Sequence, residues 1–121
     1  MKESLPEISV IIPAYNEANR IRENLKKITA YFKARRYHYE VIVVNDGSRD
    51  NTADVVMDYY KHDVNVKLLR TTGDNRGKGF AVNYGMQHAT MDYHLYVDAD
   101  GAIDIEHLDA FLPHALEGTD V

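Results

Sequence analysis

Apolar positions along this chain alternate between two periods. Ile8-Ser9-Val10-Ile11-Ile12 is a short β-branched run closed by Pro13, which predicts a strand. Ile21, Leu25, Ile28 and Phe32 then recur at spacings of 4, 3 and 4, the mark of an amphipathic helix over about 17–34. Val41 to Val44 form a second buried strand, and Asn45-Asp46-Gly47-Ser48 a turn. Asp50-Asn51-Thr52 can cap a second helix carrying Val55, Val56, Tyr59 and Tyr60. Val66 to Leu69 predict a third strand, and the polar, glycine-rich stretch from Thr71 to Gly79 a loop. A third helix is expected over about 78–90, and a fourth strand over Tyr93-His94-Leu95-Tyr96-Val97. A last helix carries Ile105, Leu108, Phe111, Leu112 and Leu116, with Gly118 at its C-terminal stop.

The order is βαβαβαβα. Near-continuous apolar strands alternating with amphipathic helices predict an α/β fold, an open and mostly parallel sheet with helices on both faces. Such sheets bind ligands at the carboxyl ends of their strands, where the strand order reverses. The unusual polar residues fall there. Tyr15, Asn16 and Glu17 follow the first strand, Asn45 and Asp46 the second, Asp98 and Asp100 the fourth.

Composition removes several classes. The 121 residues suffice for one domain with a modest core. No cysteine is present, so disulfides and thiolate metal sites are excluded. No apolar run approaches the ~20 residues of a membrane span, and residues 1–7 have no secretory character. Charge is uneven: residues 1–78 hold all 14 Lys and Arg against 11 acids, whereas residues 79–121 hold 8 acids and neither base. An acidic end could gather a cation, but most of the asymmetry reads as solvated faces. The same holds for the cluster Lys26, Lys27, Lys33, Arg35 and Arg36, for which contact with an anionic membrane is the alternative.

The candidate chemistry centres on Asp98-Ala99-Asp100. Alternate strand residues share a face, so both carboxylates can point the same way, roughly 7 Å apart. Oxygen-rich sites of this kind suit Mg²⁺ or Mn²⁺, with substrate phosphates completing the shell. Two phosphate motifs fail. The place of a dinucleotide fingerprint reads Pro13-Ala14-Tyr15-Asn16-Glu17, and Gly77-Lys78-Gly79 begins such a pattern only to meet Val82 at its third glycine. A P-loop needs four residues between its glycines, and Gly73 to Gly77 leaves three. A nicotinamide-dependent dehydrogenase and a P-loop NTPase are therefore disfavoured. A nucleotidyltransferase is disfavoured too, because no glycine- and arginine-rich loop follows the first strand.

Four stretches resemble the family 2 glycosyltransferases, with their GT-A nucleotide-sugar fold. They are Ser9 to Glu17, Val41 to Thr52, Asn75-Arg76-Gly77-Lys78-Gly79-Phe80-Ala81-Val82, and Val97-Asp98-Ala99-Asp100-Gly101-Ala102. The last two are most similar to the subgroup that loads a sugar onto polyprenyl or dolichyl phosphate, as in envelope glycan synthesis. The resemblance implies an inverting, metal-dependent transferase using a UDP- or GDP-sugar and Mg²⁺ or Mn²⁺. It implies a lipid-phosphate or glycan acceptor, no nucleic-acid partner, and a cytoplasmic location, peripherally at the inner membrane face. Pro13, Ala14 and Tyr15 would hold the nucleobase, Glu17 would lie near the ribose, and Asp46 would read the base edge. Lys78 would sit close to the nucleotide, Asp98 would approach the ribose or metal, and Asp100 would ligate the metal.

Plainer roles compete. Tyr15 could pack on the sheet edge, Asp46 could simply turn the chain, and Lys78 could be a surface lysine of a first helical turn. Asp104 and Glu106 read as first-turn acids complementing a helix dipole, and the six His as structural or surface residues. Two positions depart from the family pattern: Asn45 stands where a first acid is common, and Ala102 where a further metal ligand can occur. Thr119-Asp120-Val121 reads as the opening of another strand. Residues 1–121 are thus expected to be the nucleotide-sugar-binding part of one GT-A domain, with acceptor part and catalytic base beyond Val121 and self-association as a homodimer over the open side. The alternative is a non-catalytic nucleotide-sugar-binding or assembly module that needs a partner chain.

Overall fold

The computed structural model describes residues 6–99. The expected final helix, its stop at Gly118, the strand opening at Thr119, and Asp100 lie outside the described residues. Within them the order is β1 (Glu7–Ala14), α1 (Ile21–Ala34), β2 (His38–Asn45), α2 (Thr52–Tyr60), β3 (Val66–Arg70), α3 (Lys78–Gln87) and β4 (Tyr93–Tyr96). All three strand pairings are parallel, in the order β3-β2-β1-β4.

That order reverses once, and the reversal places the helices. The chain steps from β1 to β2 to β3 in one direction, and then returns past β1 to β4. Parallel crossovers are right-handed, so connections running in opposite directions cover opposite faces. On one face Ile8, Val10 and Ile12 of β1 and Val41 and Val43 of β2 pack with Ile21, Leu25, Ile28 and Phe32 of α1 and with Val56 of α2. On the other, Ile11, Ile42 and Val44 pack with Ala81 of α3. The period-two pattern of β1 and β2 thus feeds two cores at once.

Several element boundaries differ from expectation, among them that of β2, which begins at His38 rather than Val41. Pro13 does not close β1, which runs on to Ala14 opposite Asn45. The Ile11 carbonyl accepts from the Val97 N–H, on the β4 side. Pro13, two residues on, faces the same side beyond the last β4 pairing, so its missing N–H costs no ladder bond. Helix α1 starts at Ile21 rather than 17, because the Glu17 carbonyl accepts from Arg20 and Ile21 in a preceding turn. Helix α3 ends at Gln87, short of 90.

Gly85 brings α3 onto the sheet. A Cβ there would stand 2.6 Å from Ile11 Cγ2 and 2.9 Å from Val44 Cγ2. Gly85→Ala is expected to destabilise the protein by about 1–3 kcal/mol, the range for overpacking, although Ala is the better helix former by about 1 kcal/mol. Urea unfolding measures the balance. A stabilised variant would mean that α3 does not sit this close to the sheet.

Candidate functional site

An open cleft of about 240 Å³ lies at the carboxyl ends of β1 and β4, at the strand reversal. Its lining includes Pro13, Ala14, Tyr15, Glu17, Asp46, Lys78 and Asp98, every described residue that the sequence nominated, together with Asn75, Ala81 and Ala99. Tyr15 is 40% exposed, so its ring is offered to the cleft rather than buried against the sheet. Glu17 bonds Arg20, with its Oε1 2.9 Å from a guanidinium nitrogen.

The loops beneath the cleft tie β1 to β2. Asn16 sits at φ 55, a left-handed conformation that Asn tolerates. Its Oδ1 accepts from the N–H groups of Arg49 at 2.8 Å and Asp50 at 3.3 Å. In return the Asn16 N–H donates to Ser48 Oγ at 2.9 Å, Glu17 to Thr52 Oγ1 at 3.0 Å and Ala18 to Asp50 Oδ2 at 3.2 Å. Asn45, where the family pattern favours an acid, serves the adjoining turn, its Oδ1 accepting the Ser48 N–H at 3.3 Å.

Asp46 does more than turn the chain. It is buried, and its carboxylate accepts from Thr71 Oγ1 at 2.8 Å, the Arg76 N–H at 2.9 Å and the Gly77 N–H at 2.8 Å. It thereby holds the 71–77 loop and sets the start of α3, whose first residue is Lys78. Gly47 completes the fit. It has φ +76, and a Cβ there would lie 2.8 Å from the Asn75 nitrogen.

Asp98 and Lys78 meet across the cleft. Lys78 Nζ is 3.0 Å from Asp98 Oδ1, and the Tyr96 hydroxyl donates to the same oxygen at 2.5 Å. The Tyr96 hydrogen bond, then that of Lys78, holds the Asp98 carboxyl below its ordinary range. Hydrogen bonding to Tyr96, then to Asp98, raises the Lys78 ammonium above its own.

Several positioning residues escaped the sequence reading. Buried Asn24 of α1 donates its amide to the Ala99 carbonyl, fixing the backbone just after Asp98. The signal was an Asn on the same helical stripe as Ile21, Leu25 and Ile28. Thr71 gave no such signal, because loop residues follow no period.

The residues present fit one share of a divalent-metal site. Among the described residues no group of three or more His, Cys, Asp or Glu is arranged to hold a metal. Asp98 supplies one carboxylate at an open cleft, the donor that Mg²⁺ or Mn²⁺ uses when substrate phosphates and water fill the remaining positions. Among the described residues no helix is long and apolar enough to cross a membrane.

Residues 9–121 match the sequence profile of the family described as Glycosyl transferase family 2. A dolichyl-phosphate beta-glucosyltransferase of Trichomonas vaginalis is 44% identical over 81% of this chain and 31% of its own length. The enzyme of that name from Homo sapiens is 36% identical over 89% of this chain and 39% of its own. The chain therefore spans about a third of the length of the curated relatives it matches. Among solved structures, a mannosyltransferase from Pyrobaculum calidifontis in complex with GDP-Man and Mn²⁺ superposes with a TM-score of 0.71 at 34% identity, over 80% of this chain and 28% of that one. S. aureus TarS with UDP-GlcNAc gives 0.73 at 28% identity, over 92% and 31%.

Proposed function

The chain belongs to glycosyltransferase family 2 and has the GT-A fold, and on that premise we propose that it forms the nucleotide-sugar-binding part of an inverting, metal-dependent glycosyltransferase. The observation that carries this reading is the convergence of seven nominated residues on one cleft at the strand reversal. In the intact protein the sugar passes from a UDP- or GDP-linked donor to a polyprenyl or dolichyl phosphate. The relatives named for dolichyl phosphate and glucose support that acceptor and point to glucose as the sugar. A phosphate acceptor is already anionic at neutral pH and needs little general-base help. Such an acceptor would place the enzyme at a membrane surface.

Tyr15, Pro13 and Ala14 form the nucleobase end, with Asp46 beneath it and Glu17 toward the ribose. Lys78 and Asp98 form the diphosphate end, where Asp98 and Asp100 would hold Mg²⁺ or Mn²⁺. When bound, the ion neutralises charge on the leaving nucleoside diphosphate. Self-association through an edge strand of the sheet belongs to the same reading.

Calorimetry of the purified chain with UDP and GDP, with and without Mn²⁺, tests the proposal. One of the two nucleotides should bind only with the metal, and Asp100→Ala should remove that dependence while leaving the fold intact. Metal-independent binding, unchanged in this variant, would contradict the assignment. Light scattering on the same samples reads the association state, and a clean monomer removes the homodimer.

A further inference from the structure

We propose that Lys78 is a built-in counter-cation for Asp98, which a divalent metal must displace, and that the released ammonium then moves onto the diphosphate of the donor. This rests on the reading of Asp98 as a metal ligand.

Three observations carry it. Lys78 Nζ lies 3.0 Å from Asp98 Oδ1, across the strand reversal from the end of β4. The Tyr96 hydroxyl, 2.5 Å from the same oxygen, fixes the carboxylate, and Lys78 Nζ lies 5.7 Å from the Tyr96 ring centroid. Both partners line the cleft, and the Lys78 side chain is 62% exposed. The ammonium therefore occupies the cation position of the site on a flexible stem that can leave without disturbing the core.

Geometry then forces an exchange. A divalent ion binds a carboxylate oxygen at about 2.1 Å. An ammonium retained on Oδ1 would face an ion on the same oxygen from within roughly 5 Å, and like charges at that distance repel. Lys78 is the first residue of α3, and the stem of a lysine allows its charge to swing several ångström. Lysine binds phosphate as a mobile point charge. The arriving diphosphate supplies the new partner, so metal and nucleotide together complete the swap. Free metal alone meets a competitor inside the protein.

The test separates the two halves. Binding of Mn²⁺ alone, read from the electron paramagnetic resonance signal of the free ion, should tighten in Lys78→Met by about two- to fivefold, the range for a half-exposed ion pair. In the presence of whichever of UDP and GDP binds the wild-type chain, the same variant should bind nucleotide at least about tenfold more weakly, as a lost charged hydrogen bond predicts. Lys78→Arg keeps the charge and should stay near wild type for Mn²⁺ alone. Unchanged Mn²⁺ affinity in Lys78→Met overturns the counter-cation, and unchanged nucleotide affinity overturns the transfer to diphosphate. Asp98→Asn should lose affinity for Mn²⁺. If it binds the ion as wild type does, Asp98 is no ligand, and the metal reading of the site falls together with this inference.

Discussion

Asp46→Ala is expected to lower stability by about 3 kcal/mol and nucleotide affinity by more than tenfold. The carboxylate is buried and accepts from Thr71, Arg76 and Gly77. Hydrogen bonds to a charged group contribute about 1.5–3 kcal/mol each, and a donor left buried without a partner costs a further share. The loop can relax toward water, so the sum is discounted to about 3 kcal/mol. The released segment carries Lys78, so the damage reaches the cleft. Asp46→Asn retains the volume and one acceptor, but sets an amide N–H against the Gly77 N–H, and should fall between the two. Urea unfolding gives the stability, and amide exchange at Arg76 and Gly77 reports the loop. A variant as stable as the wild type, with unchanged exchange, would mean that Asp46 does not anchor the loop. The ratio of UDP to GDP affinity reads its second role. A changed ratio marks contact with the base, whereas a uniform loss marks the anchor alone.

Glu40→Gln should cost about 3 kcal/mol near neutral pH and flatten the acid limb of the stability curve. Glu40 lies buried in β2, at the end of the sheet opposite the cleft. Its Oε2 accepts from Ser9 Oγ at 2.6 Å and from the Thr90 N–H at 2.7 Å, and its Oε1 meets Lys67 Nζ at 2.9 Å. The Met91 N–H donates to Ser9 Oγ at 3.1 Å, so the network pins the α3–β4 connection to β1, β2 and β3. Burial alone would raise the carboxyl, but the bonds from Ser9, Thr90 and Lys67 overcome it and bring the pKa from 4.5 down to about 2. A difference of 2.5 pH units amounts to about 3 kcal/mol. The folded group binds its proton more weakly than the unfolded chain does. The stabilisation is therefore complete above about pH 4.5 and is lost as pH falls toward 2. Other carboxyls, Asp50, Asp58 and Asp98, are also lowered, so the difference between wild type and variant is the quantity to measure across that window. A parallel pair of curves would remove Glu40 as the source.

Each strand and helix of the described fold was legible from the order of its residues. The 4-3-4 spacing of Ile21, Leu25, Ile28 and Phe32 survives as the buried stripe of α1. The β-branched runs survive as strands, because alternation and branching act through a residue's immediate neighbours. Part of the cleft was legible too, since parallel topology carries the residue after each strand to one end of the sheet, whereas Lys78 was nominated only by the family resemblance. Tyr15, Asp46 and Asp98 needed no pairing information to be nominated. The extent of β1 was not legible. Whether Pro13 ends a strand depends on where the neighbouring β4 stops, at Tyr96, far downstream in the chain.

Which polar group holds which became visible only in the folded chain. Asp46 reaches Gly77 over 31 positions, Asn24 reaches Ala99 over 75, and Ser9 meets Glu40 over 31. Nothing periodic links such pairs. A polar side chain in the sequence advertises only that it needs a partner. Burial makes that need costly, and the crossing of elements decides which group answers it. Lys78 and Asp98 illustrate the difference: each was nominated for the nucleotide, and only the return of β4 beside β1 sets one against the other.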